Sequence, residues 1–279
     1  MPIHDQGYRR YTGRRNSPGR EWWVIARAGV LERLRERRFL ALLLLAWSPF
    51  MVRALQIYAS TSFAQLSFLA PDPDTFREFL NQQSPFLFFI TIYAGSGLIA
   101  SDRRANALQM YLSRPLTRVQ YISGKLLVLA TFLLAGSWLP ALTLLALQVI
   151  FSGSPGFITA NPWLVPAITL FCVIEVIAIS FAMLALSSLS KSRRFVAAMY
   201  AGAVLFAAAM YRVLRGLTGS TAWAWISPED VFDALSIAIF RAPERPTLSA
   251  PAAMIAIGAI VALSIVILDR RVRAVDVVT

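Results

Sequence analysis

Cysteine and histidine are almost absent from this 279-residue chain, which contains only Cys172 and His4. A disulfide within the chain needs two cysteines, so none can form. A structural zinc site needs four ligands that are mostly Cys or His, and a catalytic site needs about three. The composition therefore excludes a disulfide-stapled fold and metal chemistry based on thiolates and imidazoles.

Phosphate-binding loops are also absent. The pair Gly124–Lys125 is followed by Leu126, and Val119 stands where the Gly-x-x-x-x-Gly-Lys-Ser/Thr loop needs its first glycine. This chain therefore does not bind ATP through such a loop. The run 95–100 formally fits the dinucleotide-binding fingerprint, but it ends a predicted membrane helix where that motif needs a preceding strand. We interpret its glycines as sites of close helix packing.

Charged residues are scarce, at 15%, whereas 57% of the residues are hydrophobic. Soluble globular domains rarely have this composition. A membrane-spanning helix needs about 20 mostly apolar residues. Six windows meet this criterion, at roughly 39–58, 84–100, 122–150, 163–189, 195–215 and 249–268. The sequence predicts an all-α integral membrane protein with one membrane domain over 20–279, after a disordered tail over 1–19.

The basic residues alternate along the chain with the predicted spans. Residues 1–38 carry ten Arg against four acids, and 101–125 carry five basic residues against Asp102 alone. The loop 59–83 has three acids and one Arg, and the loop 216–248 has four acids and two Arg. The positive-inside rule then places both termini in the cytoplasm. The net charge of +12 is explained by this topology, so no nucleic-acid partner is predicted.

Two further helices are predicted outside the spans. Over 21–38, Trp23, Ala26, Val30 and Leu34 repeat at helical spacing, so we expect an interfacial helix on the inner membrane surface. Its candidate interfacial residues are Trp22, Trp23, Arg27 and Arg35. Between spans 5 and 6, an external amphipathic helix should begin with Ser227 as N-cap and Pro228 in its first turn. Glu229 and Asp230 would complement its dipole, and Val231, Leu235 and Ala238 would share one face.

Smaller features refine the first three spans. Ser48–Pro49 predicts a kink in the first span. A short external helix over 74–80, capped by Asp74, is expected before the second span. A cytoplasmic helix should run from Ser101 or Asp102 to about Ser113 and stop at Pro115. Thr117 would cap the third span.

The segment from Ser101 to Lys125 resembles the permease subunits of ABC type-2 exporters. In that family an acidic–Arg start, Gly-Thr-Leu, Leu-Ser-x-Pro, an Arg, a Tyr and Gly-Lys lead into the next span. The residues that match are Asp102, Arg103, Leu108, Leu112, Ser113, Pro115, Arg118, Tyr121, Gly124 and Lys125. The chain departs from the pattern at Asn106 and Ala107, where Gly and Thr are common. We expect neither replacement to break a helix.

The resemblance implies a transport subunit without chemistry of its own. ATP and Mg would be bound by a separate cytoplasmic ABC ATPase, and a second permease copy or homologue would complete the pathway in the plasma membrane. ATPase coupling would fall to Asp102, Arg103, Arg104, Leu108, Tyr111, Leu112, Arg114 and Pro115. The alternatives are a membrane-embedded lipid-modifying enzyme and a non-transporting anchor of a cytoplasmic complex.

Glu175 is an acid deep inside a predicted span. A central charge costs roughly 2.5–3.5 kcal/mol on insertion scales, so it should face protein, a cavity or be protonated. Ala178 and Ala182 share its face, which is typical of close helix packing. Two interpretations follow: a polar point on the translocation path or dimer seam, or a protonated carboxyl bonded to a neighbouring helix.

Overall fold

The computed structural model describes residues 20–107, 117–243 and 246–272, and those residues form helices and no strand. The α-helices are Glu21–Leu34, Arg37–Ala46, Ser48–Ser62, Pro73–Ile90, Ala100–Arg104, Arg118–Gly136, Trp138–Ser152, Gly156–Ala160, Leu164–Leu189, Arg193–Thr218, Pro228–Phe240 and Ala250–Arg271. Short 3-10 helices cover Ala64–Leu69 and Ala224–Ile226, and a π-helical turn covers Thr91–Gly95.

Six helical stretches within the described ranges are long and apolar enough to cross a membrane, as the sequence predicts. Numbered as spans 1 to 6, they are Arg37–Ser62, Pro73–Arg104, Arg118–Ser152, Leu164–Leu189, Arg193–Thr218 and Ala250–Arg271. The chain is thus a multi-pass membrane protein. The helix Glu21–Leu34 precedes span 1 and is called the N-terminal helix below.

Spans 1 and 3 are each broken into two helices. Span 1 breaks at Trp47, and Pro49 lies in the first turn of its second half, so the kink predicted at Ser48–Pro49 is confirmed. Span 3 breaks at Ser137, where the backbone has ψ of −67° and the next helix carries Pro140. Proline has no backbone N–H to donate to the preceding turn, which accounts for a break inside an apolar run.

Span 2 begins earlier than its apolar run indicates. The separate external helix predicted over 74–80 is wrong, because one helix runs continuously over Pro73–Ile90. Its N-cap is Asp72 rather than Asp74: the Asp72 carboxylate accepts from the Thr75 N–H at 2.8 Å, and the Thr75 hydroxyl accepts from the Asp72 N–H. This capping box extends the helix through the polar residues that the hydropathy pattern assigned to a loop.

Buried apolar side chains form two clusters along the bundle. One includes Phe39, Tyr121, Val128, Met183 and Leu268, and the other is built from residues of spans 1 to 4, the helix Pro228–Phe240 and span 6. The first cluster adjoins the end of the bundle where span 2 stops and span 3 starts, which we call the basic end. The second adjoins the opposite end, where span 2 starts and Pro228–Phe240 lies, which we call the acidic end.

Candidate functional site

Asp102 connects the end of span 2 to the start of span 3. The Tyr121 hydroxyl donates to Asp102 Oδ2 at 2.8 Å, and Lys125 Nζ lies 2.7 Å from the same oxygen. Lys125 and Asp102 expose only 14% and 16% of their side chains, and the Tyr121 side chain is buried. Screening by solvent is weak at such exposure, so this pair holds the two spans together more firmly than a surface ion pair would.

The helix that carries Asp102 is shorter than predicted. It covers Ala100–Arg104, and Asn106 adopts a left-handed φ of 52°. The prediction of one helix from Asp102 to about Ser113 is therefore wrong at Asn106, since an α-helix cannot pass through a left-handed residue. Among residues that carry a side chain, asparagine, aspartate and histidine adopt this conformation most readily. The residues that were predicted beyond it, Leu108, Tyr111, Leu112, Arg114 and Pro115, lie outside the described residues.

A bend separates the π-helical turn of span 2 from Ala100. The Ser187 hydroxyl, from span 4, accepts from the N–H groups of Ile99 and Ala100 at 3.1 Å each and donates to the Ser96 carbonyl at 3.1 Å. The bend would otherwise leave these backbone groups unpaired in a buried site, at a cost of about 1–3 kcal/mol each. Ser187 therefore fixes the bend, although a serine near the end of an apolar run gives little sign of this role.

Two arginines bind carbonyl oxygens at the basic end. Arg103 donates to the Ser188 carbonyl, which ties span 2 to span 4. Arg193, at the start of span 5, donates to the Tyr93 carbonyl at 2.7 Å, and its guanidinium lies 5.0 Å from the centre of the Tyr93 ring. From the sequence, Arg103 is assigned to ATPase coupling and Arg193 is given no role.

Close packing of glycines explains the position of the N-terminal helix. A Cβ atom at Gly124 of span 3 would lie 2.9 Å from the Trp22 carbonyl oxygen and from Ile25, and one at Gly29 would lie 2.7 Å from Val128. Small residues thus let the two backbones approach. The same reasoning applies to Gly95, whose Cβ would lie 2.5 Å from Met183, so the packing interpretation of its Gly-rich run is confirmed.

Protein covers only part of the stripe that was predicted to face the membrane surface: Ala26 is buried, whereas Trp23 and Leu34 are exposed. Arg33, outside that stripe, is buried. Span 3 covers the stripe that contains the small residues, which hydrophobicity alone does not identify. Trp22, Arg27 and Arg35 are exposed, so the four residues predicted to be interfacial all lie on the uncovered surface.

Arg33 is neutralised by Glu36. Arg33 Nη1 donates to Glu36 Oε1 at 2.6 Å, in the turn that joins the N-terminal helix to span 1. Burial acts to raise the pKa of the Glu36 carboxyl, but hydrogen bonds from Tyr93 and Arg33 and the Arg33 charge outweigh it and hold that pKa below its ordinary value. The carboxylate thus links the N-terminal helix to span 2.

The helix between spans 5 and 6 begins where the sequence predicts. The Ser227 hydroxyl accepts from the Asp230 N–H, Pro228 is the first helical residue, and Glu229 and Asp230 occupy the first turn. Val231 and Leu235 are buried as expected, whereas Ala238 is exposed, because Ala234, Ile237 and Phe240 complete the covered face instead.

Arg77 holds that helix to span 2. Its guanidinium lies 2.5 Å from Asp74 and 3.4 Å from Asp233, and its side chain is only 4% exposed. Asn81 also donates to Asp233, at 3.1 Å. Arg77 is the single basic residue of the acidic stretch 59–83. That isolation could have indicated that it pairs with carboxylates at this end of the bundle.

Glu175 lies in the wall of a cavity on the acidic side of the bundle. The cavity has a volume of about 680 Å³ and is bordered by spans 2, 4 and 5 and the helix Pro228–Phe240. Glu175 is 3% exposed, and its Oε2 has no hydrogen-bond partner among the described residues. Of the surroundings that the sequence left open for Glu175, namely protein, a cavity or protonation, the structure shows a cavity.

Among residues 20–107, 117–243 and 246–272, no group of three or more His, Cys, Asp or Glu side chains is placed to hold a metal ion. Comparison with known proteins yields no match: no family model matches the chain, and no curated protein sequence matches it.

Proposed function

We propose that this multi-pass membrane protein is the permease subunit of an ATP-driven ABC exporter. It forms a translocation pathway together with a second copy or a homologue, and a separate cytoplasmic ATPase supplies the energy with bound ATP and Mg. The basic end faces the cytoplasm of a cell bounded by a plasma membrane, and the acidic end faces outward. Membrane lipids surround the spans.

One observation carries the proposal. Three residues carry it, all of them part of the ABC type-2 permease pattern. Tyr121 and Lys125 lie 19 and 23 positions after Asp102 in the sequence, and they contact its carboxylate at 2.8 and 2.7 Å. They join the two points at which the connecting segment leaves span 2 and enters span 3. A force on that segment would therefore move both spans together.

A second observation supports the resemblance. The pattern usually has Gly at the position of Asn106, and Asn106 has a φ of 52°. Gly adopts positive φ without strain, and Asn is among the few other residues that do so at low cost. The departure from the pattern therefore preserves a backbone conformation that Gly favours.

The ATPase contact follows from the same segment. A cytoplasmic ATPase would receive the connecting segment in a groove, with Leu108, Tyr111 and Leu112 as apolar anchors and Arg104 and Arg114 as steering charges. The N-terminal helix, held against span 3 at Gly124, would pass its movement to the same span. Glu175 is a candidate residue of the pathway.

Purification of the tagged chain from its native membrane tests this proposal. We expect an ATPase subunit with a phosphate-binding loop to co-purify, and a variant with both Leu108→Asp and Leu112→Asp to lose it. The matched control is Leu217→Asp, which alters an 80% exposed leucine near the acidic end and should keep the ATPase. A wild-type preparation without any ATPase, or an ATPase retained by the double variant, would overturn the proposal.

Orientation is tested by thiol labelling in intact cells. Cys172 is the only cysteine in the sequence, so the substitution Cys172→Ala gives a background without thiols. In that background Ser154→Cys should react with an impermeant reagent and Ser192→Cys should not, because these two exposed positions lie at opposite ends of span 4. The reverse pattern would place the acidic end in the cytoplasm.

A further inference from the structure

The cavity beside Glu175 is large enough for an organic ligand. Its volume of about 680 Å³ falls within the range of roughly 300–1,000 Å³ that is typical of small-molecule sites. It reaches from Arg212 and Asp230, near the acidic end, to Glu175 in the middle of span 4. Glu175 is eleven positions after Leu164, the first residue of that span. At 1.5 Å per residue, it lies about 16 Å along the helix from the start of the span.

Glu175 is the one acidic residue that is buried among the described residues, and no cationic side chain there forms an ion pair with it. The described residues form no ion pair with Glu175, and its Oε2 has no hydrogen-bond partner there. A carboxyl group without partners in an apolar span is costly, and ionisable residues in such positions mark ligand or ion pathways. The lost interactions would be restored by a ligand that brings a positive charge.

The walls favour such a ligand. Four carboxylates line the cavity, from Glu175, Glu229, Asp230 and Asp233, against two guanidinium groups, from Arg212 and Arg215. Arg212 lies 3.5 Å from Glu229, and Asp233 pairs with Arg77 outside the cavity. These two pairs leave the carboxylates of Glu175 and Asp230 against the single guanidinium of Arg215 in the cavity wall. Aromatic rings, whose faces attract cations, are contributed by Phe88, Phe89, Phe171, Tyr200 and Phe232.

We propose that this cavity binds a lipophilic organic cation. The positive centre lies against Glu175, and the apolar body lies among the aromatic side chains of spans 2, 4 and 5. The excess of carboxylates disfavours an anion of the same shape. The proposal goes beyond the transport function and does not depend on it, because binding is a property of this chain without an ATPase.

The test measures binding of radiolabelled tetraphenylphosphonium to the purified full chain in lipid nanodiscs. This probe carries a permanent charge, so its own protonation does not complicate the result. Glu175→Gln keeps the size of the side chain and removes its charge, and it should raise the Kd by about tenfold or more. Glu78→Gln, which removes a 51% exposed carboxylate of span 2 that does not line the cavity, is the matched control and should change the Kd by less than about threefold.

Two additional arms make the test decisive. Glu175→Asp keeps the charge on a shorter side chain, so it should bind more tightly than Glu175→Gln if charge is what matters. Tetraphenylborate has nearly the same shape and the opposite charge, and it should bind the wild type at least about tenfold more weakly than the cation. Equal binding of the two probes, or unchanged cation binding in a folded Glu175→Gln protein, would overturn the proposal. Binding of tetraphenylborate alone would assign the cavity to anions at Arg212 and Arg215 instead.

Discussion

The two ends of the bundle use charge in different ways. At the basic end, Arg103 and Arg193 donate to the carbonyl oxygens of Ser188 and Tyr93, near the ends of spans 4 and 2. At the acidic end, carboxylates lie at helix starts, as Asp72 does for span 2. Helix dipoles favour this distribution, because cations are stabilised at C-termini and anions at N-termini. The dipoles therefore account for these contacts but not for the whole charge asymmetry, because arginines also begin spans 1, 3 and 5 at the basic end.

The ends also differ in what holds the elements together. The N-terminal helix meets span 3 through close backbone approach at Gly29 and Gly124. The helix Pro228–Phe240 meets span 2 through a buried guanidinium shared by two carboxylates. Packing at one end and an ion-pair network at the other should respond differently to substitution.

The largest effect is expected from Arg77→Met. It removes the cation that Asp74 and Asp233 share. Because these carboxylates keep 26% and 40% of their side-chain surface exposed, we expect a loss at the lower end of the cost of breaking a buried pair, about 3 kcal/mol. The measurement is the free energy of unfolding of the purified chain, titrated with SDS in mixed micelles. We expect the helix Pro228–Phe240 to become accessible to protease first.

Arg53→Met is the matched control. Arg53 also pairs with a carboxylate of span 2, at 2.8 Å, but its partner Glu78 is 51% exposed. Exposed pairs contribute about 0–1 kcal/mol, so the control should lose no more than that. Equal losses in the two variants would show that the buried network has no special role at the acidic end.

An intermediate effect is expected from Gly124→Ala at the basic end. The new methyl group would lie 2.9 Å from the Trp22 carbonyl oxygen, and backbone cannot move aside as easily as a flexible side chain. Overpacking of this kind costs about 1–3 kcal/mol. The readout is again the free energy of unfolding, together with the protease sensitivity of the N-terminal helix.

Gly202→Ala in span 5 provides the comparison for this substitution. Nothing lies within 4 Å of a Cβ at Gly202, so the change should only improve helix propensity and stabilise by about 0.5–1 kcal/mol. Destabilisation at both glycines would argue against specific contact between the N-terminal helix and span 3.

Local rules predicted much of this fold. Long apolar runs located the six spans, Thr117 and Ser227 cap helices as expected, and Pro49 marks the kink in span 1. The failures involve competition between local signals. Asp72 and Asp74 both lie near the start of a helix, and only the reciprocal bond with Thr75 decides between them.

The candidate site was less predictable because it depends on contacts between distant segments. Arg33 is buried against its own turn, Ser187 pairs the backbone of another span, and Glu175 lies beside a cavity that four helices create. Hydrophobic periodicity identifies which face of a helix is apolar, but it does not reveal which polar groups will meet. Asn106 shows a related limit, because its left-handed backbone ends a helix that its neighbours would continue.

The smallest effect concerns the pH dependence of the basic end. Glu36 has a pKa below the reference value of 4.5, because hydrogen bonds from Tyr93 and Arg33 outweigh the opposing effect of burial. The folded protein therefore holds the Glu36 proton less tightly than the unfolded chain does, and the carboxylate adds stability above pH 4.5. That stability should disappear as the pH falls through the lower, folded pKa. The Tm difference between wild type and Glu36→Gln should consequently be larger at pH 7 than at about pH 3.

Glu32→Gln, on the exposed surface of the N-terminal helix, controls for the general effect of removing one charge. A Tm difference for Glu36→Gln that stays constant across this range would mean that packing, and not the carboxylate, links the N-terminal helix to span 2.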